Sequence, residues 1–179
     1  MASYYYLISS LPSLRTDAPM PISYDAFLEQ CRSAVNESTF KTLKELDANS
    51  SKSQIAFVRK WSSFNSRLTA ELNRRRREKF GKKSEGNSDR DSEIEKIVSA
   101  AMGAENPLVA EKILLNAQFA YLDSLVAMHF FDDNVLFGYA VKLRLLERQN
   151  IFDTAKGKKE FTRLYDSIQE QIMNIGLEK

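Results

Sequence analysis

The chain has 179 residues, a formal net charge of +2, 43% hydrophobic and 28% charged residues, the balance of an ordinary globular domain with a sizeable core. So small a net charge makes whole-molecule attraction to nucleic acid weak and leaves any such role to a local basic patch. The lone Cys31 excludes an internal disulfide, fits a reducing compartment, and reads as small core filler rather than a nucleophile.

The chain opens with MASYYYLISSLPSL. A secretory signal needs a basic start and an apolar run of about 7–15 residues. Here no Lys or Arg precedes Arg15, and the apolar run Tyr4–Ile8 stops at Ser9 and Ser10, so the segment reads neither as a targeting signal nor as a membrane span. Tyr4, Tyr5 and Tyr6 are expected to dock into a core and tie down the amino terminus, with a binding surface as the competing reading. The segment fits a short helix or a strand. Pro12, Pro19 and Pro21 interrupt the chain next, and only Pro107 follows them, a scarcity that predicts long uninterrupted helices.

From Ser23, a natural N-cap, Phe27, Cys31, Ala34 and Val35 recur at helical spacing, with Asp25 at the positive end of the helix dipole. A second short helix places Phe40, Leu43 and Leu46 on one side. Residues 52–80 form one long helix with a stripe of Ile55, Val58, Trp61 (or Phe57), Phe64, Leu68 and Leu72, and Gly81 suits its C′ position. Residues 82–90 carry no apolar side chain and are expected to be an exposed loop. A short helix through DSEIEKIVSAAM stops near Gly103. Asn106 and Pro107 then cap and start a helix that is apolar nearly all round. One seam holds Leu108, Leu115, Phe119, Leu122 and Val126; the other holds Leu114, Tyr121, Leu125 and Met128. Asp132, Asp133 and Asn134 turn the chain and cap the next helix. A last helix from Asp153 to about Ile175 lines up Phe161, Leu164, Tyr165, Ile168, Ile172 and Ile175. The expectation is an all-α bundle of about six to eight helices. It forms a single helical domain over residues 1–179, divisible into lobes 1–81 and 91–179 at the loop 82–90.

No catalytic, cofactor-binding or metal-binding residue can be assigned. His129, the only histidine, reads as a packed or capping side chain, and one His with one Cys cannot build a usual zinc site. Neither G-x-x-x-x-G-K-[ST] nor G-x-G-x-x-G occurs, and the acids after Phe131 fall where a helix start explains them. The sharp local signal is basic. Arg74, Arg75, Arg76, Arg77, Lys79, Lys82 and Lys83 are opposed only by Glu78 across residues 73–83. Consecutive helical residues point about 100° apart, so the four arginines form a collar rather than a stripe. A solvated helix end, an acidic protein partner and, with least support, nucleic acid all fit it.

Two stretches carry a resemblance. The start YYYLISSLPSL resembles the opening of the central-stalk subunit of V-type and A-type ATP synthases that is named d in eukaryotic complexes. Tyr4, Tyr5, Tyr6 and Leu7, together with Gly138-Tyr139-Ala140, Lys142-Leu143, Glu147-Arg148, Phe152-Asp153 and Lys156-Gly157, resemble a short bacterial family encoded among V-type ATP synthase genes. The central-stalk protein is roughly twice as long, and the arginine usual in its first helix is missing here, with Ser10 standing near that place. The resemblance implies an all-helical, non-catalytic coupling subunit without cofactor, linking the central stalk to the membrane proteolipid ring. Its location would then be cytoplasmic, peripheral to the inner membrane through the ATPase complex. Tyr4–Tyr6 and Arg74–Arg77 are the partner-binding candidates. The alternative is a helical nucleic-acid-binding protein using the run Arg74–Lys83.

Overall fold

A computed structural model describes residues 4–46, 55–81, 91–150 and 154–176, with side chains described through residue 150 and from 157 to 169. Eight helices make up the described residues, and no strand occurs among them. They are α1 (Tyr5–Ser10), α2 (Tyr24–Arg32), α3 (Glu37–Glu45), α4 (Ala56–Lys79), α5 (Ser92–Met102), α6 (Pro107–Val126), α7 (Asp133–Asn150) and α8 (Thr154–Gly176). The protein is all-α, and its first element is a helix.

The helix starts follow the capping chemistry of the sequence. Ser23 accepts from the Ala26 N–H, Asn36 from Thr39, and Asn106 from Val109 at 2.9 Å with Pro107 behind it. Asp132 Oδ1 accepts from the N–H groups of Asn134 and Val135 and starts α7. At the other end of α4, Gly81 adopts φ +69°, the left-handed conformation a C′ residue needs and a β-carbon resists. The segment expected to loop out, residues 82–90, lies outside the described residues.

The chain divides into two compact units, residues 1–146 and 147–179. The division falls within α7 and not at residues 82–90. The helices on either side of that segment, α4 and α5, pack directly on each other inside the first unit. Arg67 Nη1 ties them further by reaching Asp91 Oδ2 at 2.8 Å. In the first unit α5 and α6 pack together, α4 touches α6, and α2 pairs with α3.

The core of this unit follows the long apolar stripes. Phe57, Val58, Trp61, Phe64 and Leu68 of α4 are buried, as are Leu114, Leu115, Phe119 and Leu122 of α6. From α7 come Leu136, Phe137, Ala140, Val141, Leu143, Leu145 and Leu146. The Phe64 and Tyr121 rings stack at 3.9 Å between α4 and α6. The two seams of α6 are not buried along their whole length: α6 ends at Val126, and Leu108 near one end and Met128 just past the other stand in solvent. At Gly138, α7 comes close to Val126 and Phe57. A β-carbon there would lie 2.9 Å from Val126 Cγ1 and 3.6 Å from Phe57 Cζ, so only a residue without one lets α7 come this close.

Its neighbour Tyr139 binds the amino-terminal segment. The Tyr139 hydroxyl donates to the Pro12 carbonyl at 2.9 Å, and its ring packs 5.2 Å from Phe27. Thr16 Oγ1 reaches Asn116 Oδ1 at 2.6 Å, while Leu11, Leu14, Met20 and Ile22 lean on the core. Cys31 is buried beside this strap, and burial pushes its thiol from an ordinary 9.0 to about 12. Burial likewise pushes Tyr139 from 10.0 to about 12, with the nearby Cys31 adding to the rise.

The Gly138→Ala variant is expected to lose about 1–3 kcal/mol, the usual cost of overpacking a filled interior. Urea unfolding followed by fluorescence of Trp61, the only tryptophan, measures it, and an unchanged midpoint would refute the close crossing. A second expectation concerns pH. Cys31 and Tyr139 hold their protons more tightly folded than unfolded, so their contribution is fully present below pH 9.0 and is lost as pH rises towards about 12. Cys31→Ala should flatten that alkaline loss in urea titrations across the same pH window, and an unaltered slope would count against burial of an un-ionised thiol.

Candidate docking surface

The tyrosine triplet splits by function. Tyr4 is 5% exposed, its backbone N–H donates to the Phe131 carbonyl at 2.7 Å, and its hydroxyl accepts from Asn36 Nδ2 at 3.0 Å. Burial, followed by the nearby Asp133 carboxylate, raises its proton affinity. Tyr4 is thus the anchor. A helix turns successive residues outward, so Tyr5 and Tyr6 leave the core and stand 53% and 87% exposed. The Tyr5 ring leans on Phe131 at 4.7 Å, and Tyr6 meets the Tyr5 ring edge-on at 5.4 Å.

Phe131 is itself unusual. It holds φ +53° in the left-handed region, costly for a bulky side chain. That conformation aims its carbonyl at the Tyr4 N–H. The same short connection between α6 and α7 presents Met128, 87% exposed, and Phe130, 78% exposed. Tyr5, Tyr6 and Phe131 therefore form an aromatic corner where the α6–α7 connection meets α1, and Met128 and Phe130 stand exposed on the same connection. No Lys, Arg, Asp or Glu occurs among residues 4–14 or 124–131. Singly exposed apolar residues are ordinary, but a contiguous group with no charge among it is the mark of a contact surface. Met128, expected on a buried seam, is exposed instead, and Phe130 and Phe131 are not among the expected surface residues. The one local signal for them is an aromatic pair directly before a helix-starting Asp.

The basic run is less free than its composition implies. Arg74 turns back along its own helix: Nε donates to Glu71 Oε2 at 2.7 Å, a second nitrogen pairs with Glu78, and Nη2 lies 3.6 Å from Glu95 of α5. Arg75 Nε reaches the same Glu71 at 3.1 Å. The Arg74 and Glu71 side chains are only 15% and 12% exposed. The Arg74 guanidinium, foremost, holds the Glu71 carboxyl below the usual range, and Glu71 in turn holds Arg74 up. Arg76 and Arg77 face outward instead and, with Asn73 and the 80% exposed Phe80, line an open cleft of about 510 Å³. Lys82 and Lys83 lie outside the described residues. The collar thus supplies two outward arginines and Lys79, not four arginines. Glu71 and Glu78 were readable as helical neighbours of Arg74; Glu95, reached across the α4–α5 packing, was not.

The remaining candidates serve the fold. His129 Nδ1 lies 2.6 Å from Asp132 Oδ2, so the histidine buttresses the carboxylate that caps α7. Asp133 Oδ1 accepts from Thr39 Oγ1 and ties α7 to α3. Among the described residues no group of His, Cys, Asp and Glu is assembled that could hold a metal ion. Among them, too, no helix is long and apolar enough to cross a membrane.

A family model described as a protein of unknown function (DUF2764) matches residues 86–172, just under half of the chain. The match spans α5 to α8 up to residue 172, including Gly138-Tyr139-Ala140, and stops short of the tyrosine triplet and the basic run. No curated protein matches the chain, and no solved structure does.

Replacing Arg74 with Gln leaves Glu71 deprived of its chief partner and should cost about 1–2 kcal/mol. The paired change Arg76→Gln with Arg77→Gln should stay within about 0.5 kcal/mol of wild type, as exposed substitutions do. Thermal unfolding separates the two, and equal losses would contradict the division of the run into inward and outward halves.

Proposed function

We propose that the chain is a non-catalytic coupling subunit of a V-type ATP synthase, linking the central stalk to the membrane proteolipid ring. The observation that carries this reading is the aromatic corner of Tyr5, Tyr6 and Phe131, with the exposed Met128 and Phe130 on the same connection, joined to the resemblance of YYYLISSLPSL and of the Gly138-Tyr139-Ala140 region to proteins of that machine. A protein that couples two others needs anchored contact surfaces, and the Tyr4 N–H bond to the Phe131 carbonyl anchors this one. Lack of Lys and Arg at the corner suits a protein surface better than an anionic membrane, which would select for them. In this reading the outward Arg76, Arg77 and Lys79 meet an acidic rim, speeding encounter more than adding affinity. The protein is peripheral to the membrane through the complex and performs no chemistry of its own.

The nucleic-acid reading retains one specific observation, the exposed Phe80 beside Arg76 and Arg77, a ring and two guanidinium groups on one helix end. Two of its four arginines are committed to Glu71, which weakens it.

Co-purification with the ATPase head tests the proposal. Tyr6→Ser with Phe130→Ser should reduce recovery of the ATPase about tenfold or more, because central aromatic contacts dominate interfaces. Circular dichroism should be unchanged, since both side chains are exposed. Wild-type protein that recovers none of the ATPase would overturn the proposal. Tight nucleic-acid binding that falls steeply with salt would favour the alternative.

A further inference from the structure

The basic tip of α4 has two sides of opposite character. Glu71, Arg74, Arg75 and Glu78 share one helical face and are closed on themselves by ion pairs, with Glu95 of α5 joining them. Asn73, Arg76, Arg77 and Phe80 repeat the same spacing two positions later, about 200° round the helix. Among the described residues, these four line the open cleft of about 510 Å³, and no ion pair engages Arg76 or Arg77. Asn73, Arg76, Arg77 and Phe80 are all exposed. From Asn73 to Phe80 the helix rises about 10 Å, a length that about five extended residues span.

The chemistry of these side chains narrows the occupant. Two guanidinium groups present forked donors that match carboxylates. The exposed Phe80 ring beside them offers apolar contact, and the Asn73 amide can donate to and accept from a peptide backbone. A nucleic-acid strand needs a positive track along its phosphates and rings for successive bases. The cleft supplies one ring and two guanidinium groups, with the Glu78 carboxylate next in sequence to Arg77, which is too little for such a track. We propose that this cleft binds a short acidic peptide segment of a protein partner, with two carboxylates on Arg76 and Arg77 and an apolar side chain against Phe80. Acid, acid and apolar residue at alternate positions share one face of an extended segment, as the cleft requires. The inference deepens the coupling reading, in which this tip meets an acidic rim, and rests on that reading for the partner's identity.

Heteronuclear NMR titration of the full chain with the synthetic peptide Gly-Glu-Ser-Glu-Ser-Phe-Gly tests this without any ATPase component. The amide signals of Arg76, Arg77 and Phe80 should move together and saturate, and added salt should weaken binding. The same peptide with Gln in place of both Glu should bind about tenfold or more weakly. Arg76→Gln with Arg77→Gln should weaken the acidic peptide to a similar degree, and Phe80→Ala about threefold or more. Lys79→Gln, outside the cleft, should change binding less than about threefold. These sites are exposed, so helicity by circular dichroism should hold for every variant. Binding that is unchanged in the double variant or in Phe80→Ala overturns the proposal. So does tighter binding of an oligothymidylate of about eight nucleotides than of the peptide. A chain that recovers the ATPase head but shows no shift with the peptide overturns this inference alone. One that binds the peptide but recovers no ATPase overturns the coupling reading and supports the cleft's chemistry.

Discussion

The hydrogen bond from the Tyr4 N–H to the Phe131 carbonyl decides where the amino terminus lies, and with it the character of the surface there. It requires Phe131 to sit at φ +53°, a conformation of order 1–3 kcal/mol above the relaxed backbone. The surrounding contacts hold it: Tyr5 covers the Phe131 ring, Tyr4 fills the core, and Asp132 begins α7 at the next residue. Once Tyr4 points inward, helical geometry leaves Tyr5 and Tyr6 no inward direction. Burial of one ring and exposure of two others are consequences of one constraint.

A second constraint acts where α4 leaves the core. Its stripe ends at Leu68 and the half-buried Leu72, and beyond it four arginines in succession would repel one another if all were left to solvent. Glu71 takes the first two, and Glu78 and Glu95 share Arg74. The last turn keeps Arg76, Arg77 and Lys79 near its negative end, where the dipole favours them, and Gly81 closes it. A run that looks like one cationic patch in sequence is a structural ion network followed by a small basic tip.

Legibility in the sequence follows the range of the physics involved. The stripe Val58, Trp61, Phe64 and Leu68 and the caps Ser23 and Asn106 act within one helix, and local spacing reveals them. Cys31 as core filler is legible for the same reason, being an apolar-periodic position. What local spacing misses is anything set between elements. Residues 82–90 look like a domain boundary because they lack apolar side chains, yet α4 and α5 on either side of them in sequence pack on each other, with Arg67 reaching Asp91. Met128 has the right spacing for a seam, but α6 stops at Val126, and nothing in a periodic pattern reports where a turn begins to override it. The aromatic corner is invisible in sequence because it joins residues more than a hundred positions apart.

The two exposed apolar surfaces differ in kind, and the difference limits what each can bind. The corner is aperiodic: its rings come from a short helix and an irregular connection, at angles of 87° and 59° to their neighbours. Such a surface is complementary to one particular shape and gains selectivity from that irregularity. The apolar face of α8 repeats: Phe161, Tyr165 and Ile168 stand exposed at intervals of four and three residues. A repeat of that kind accepts any helix of like spacing and so gains little shape selectivity.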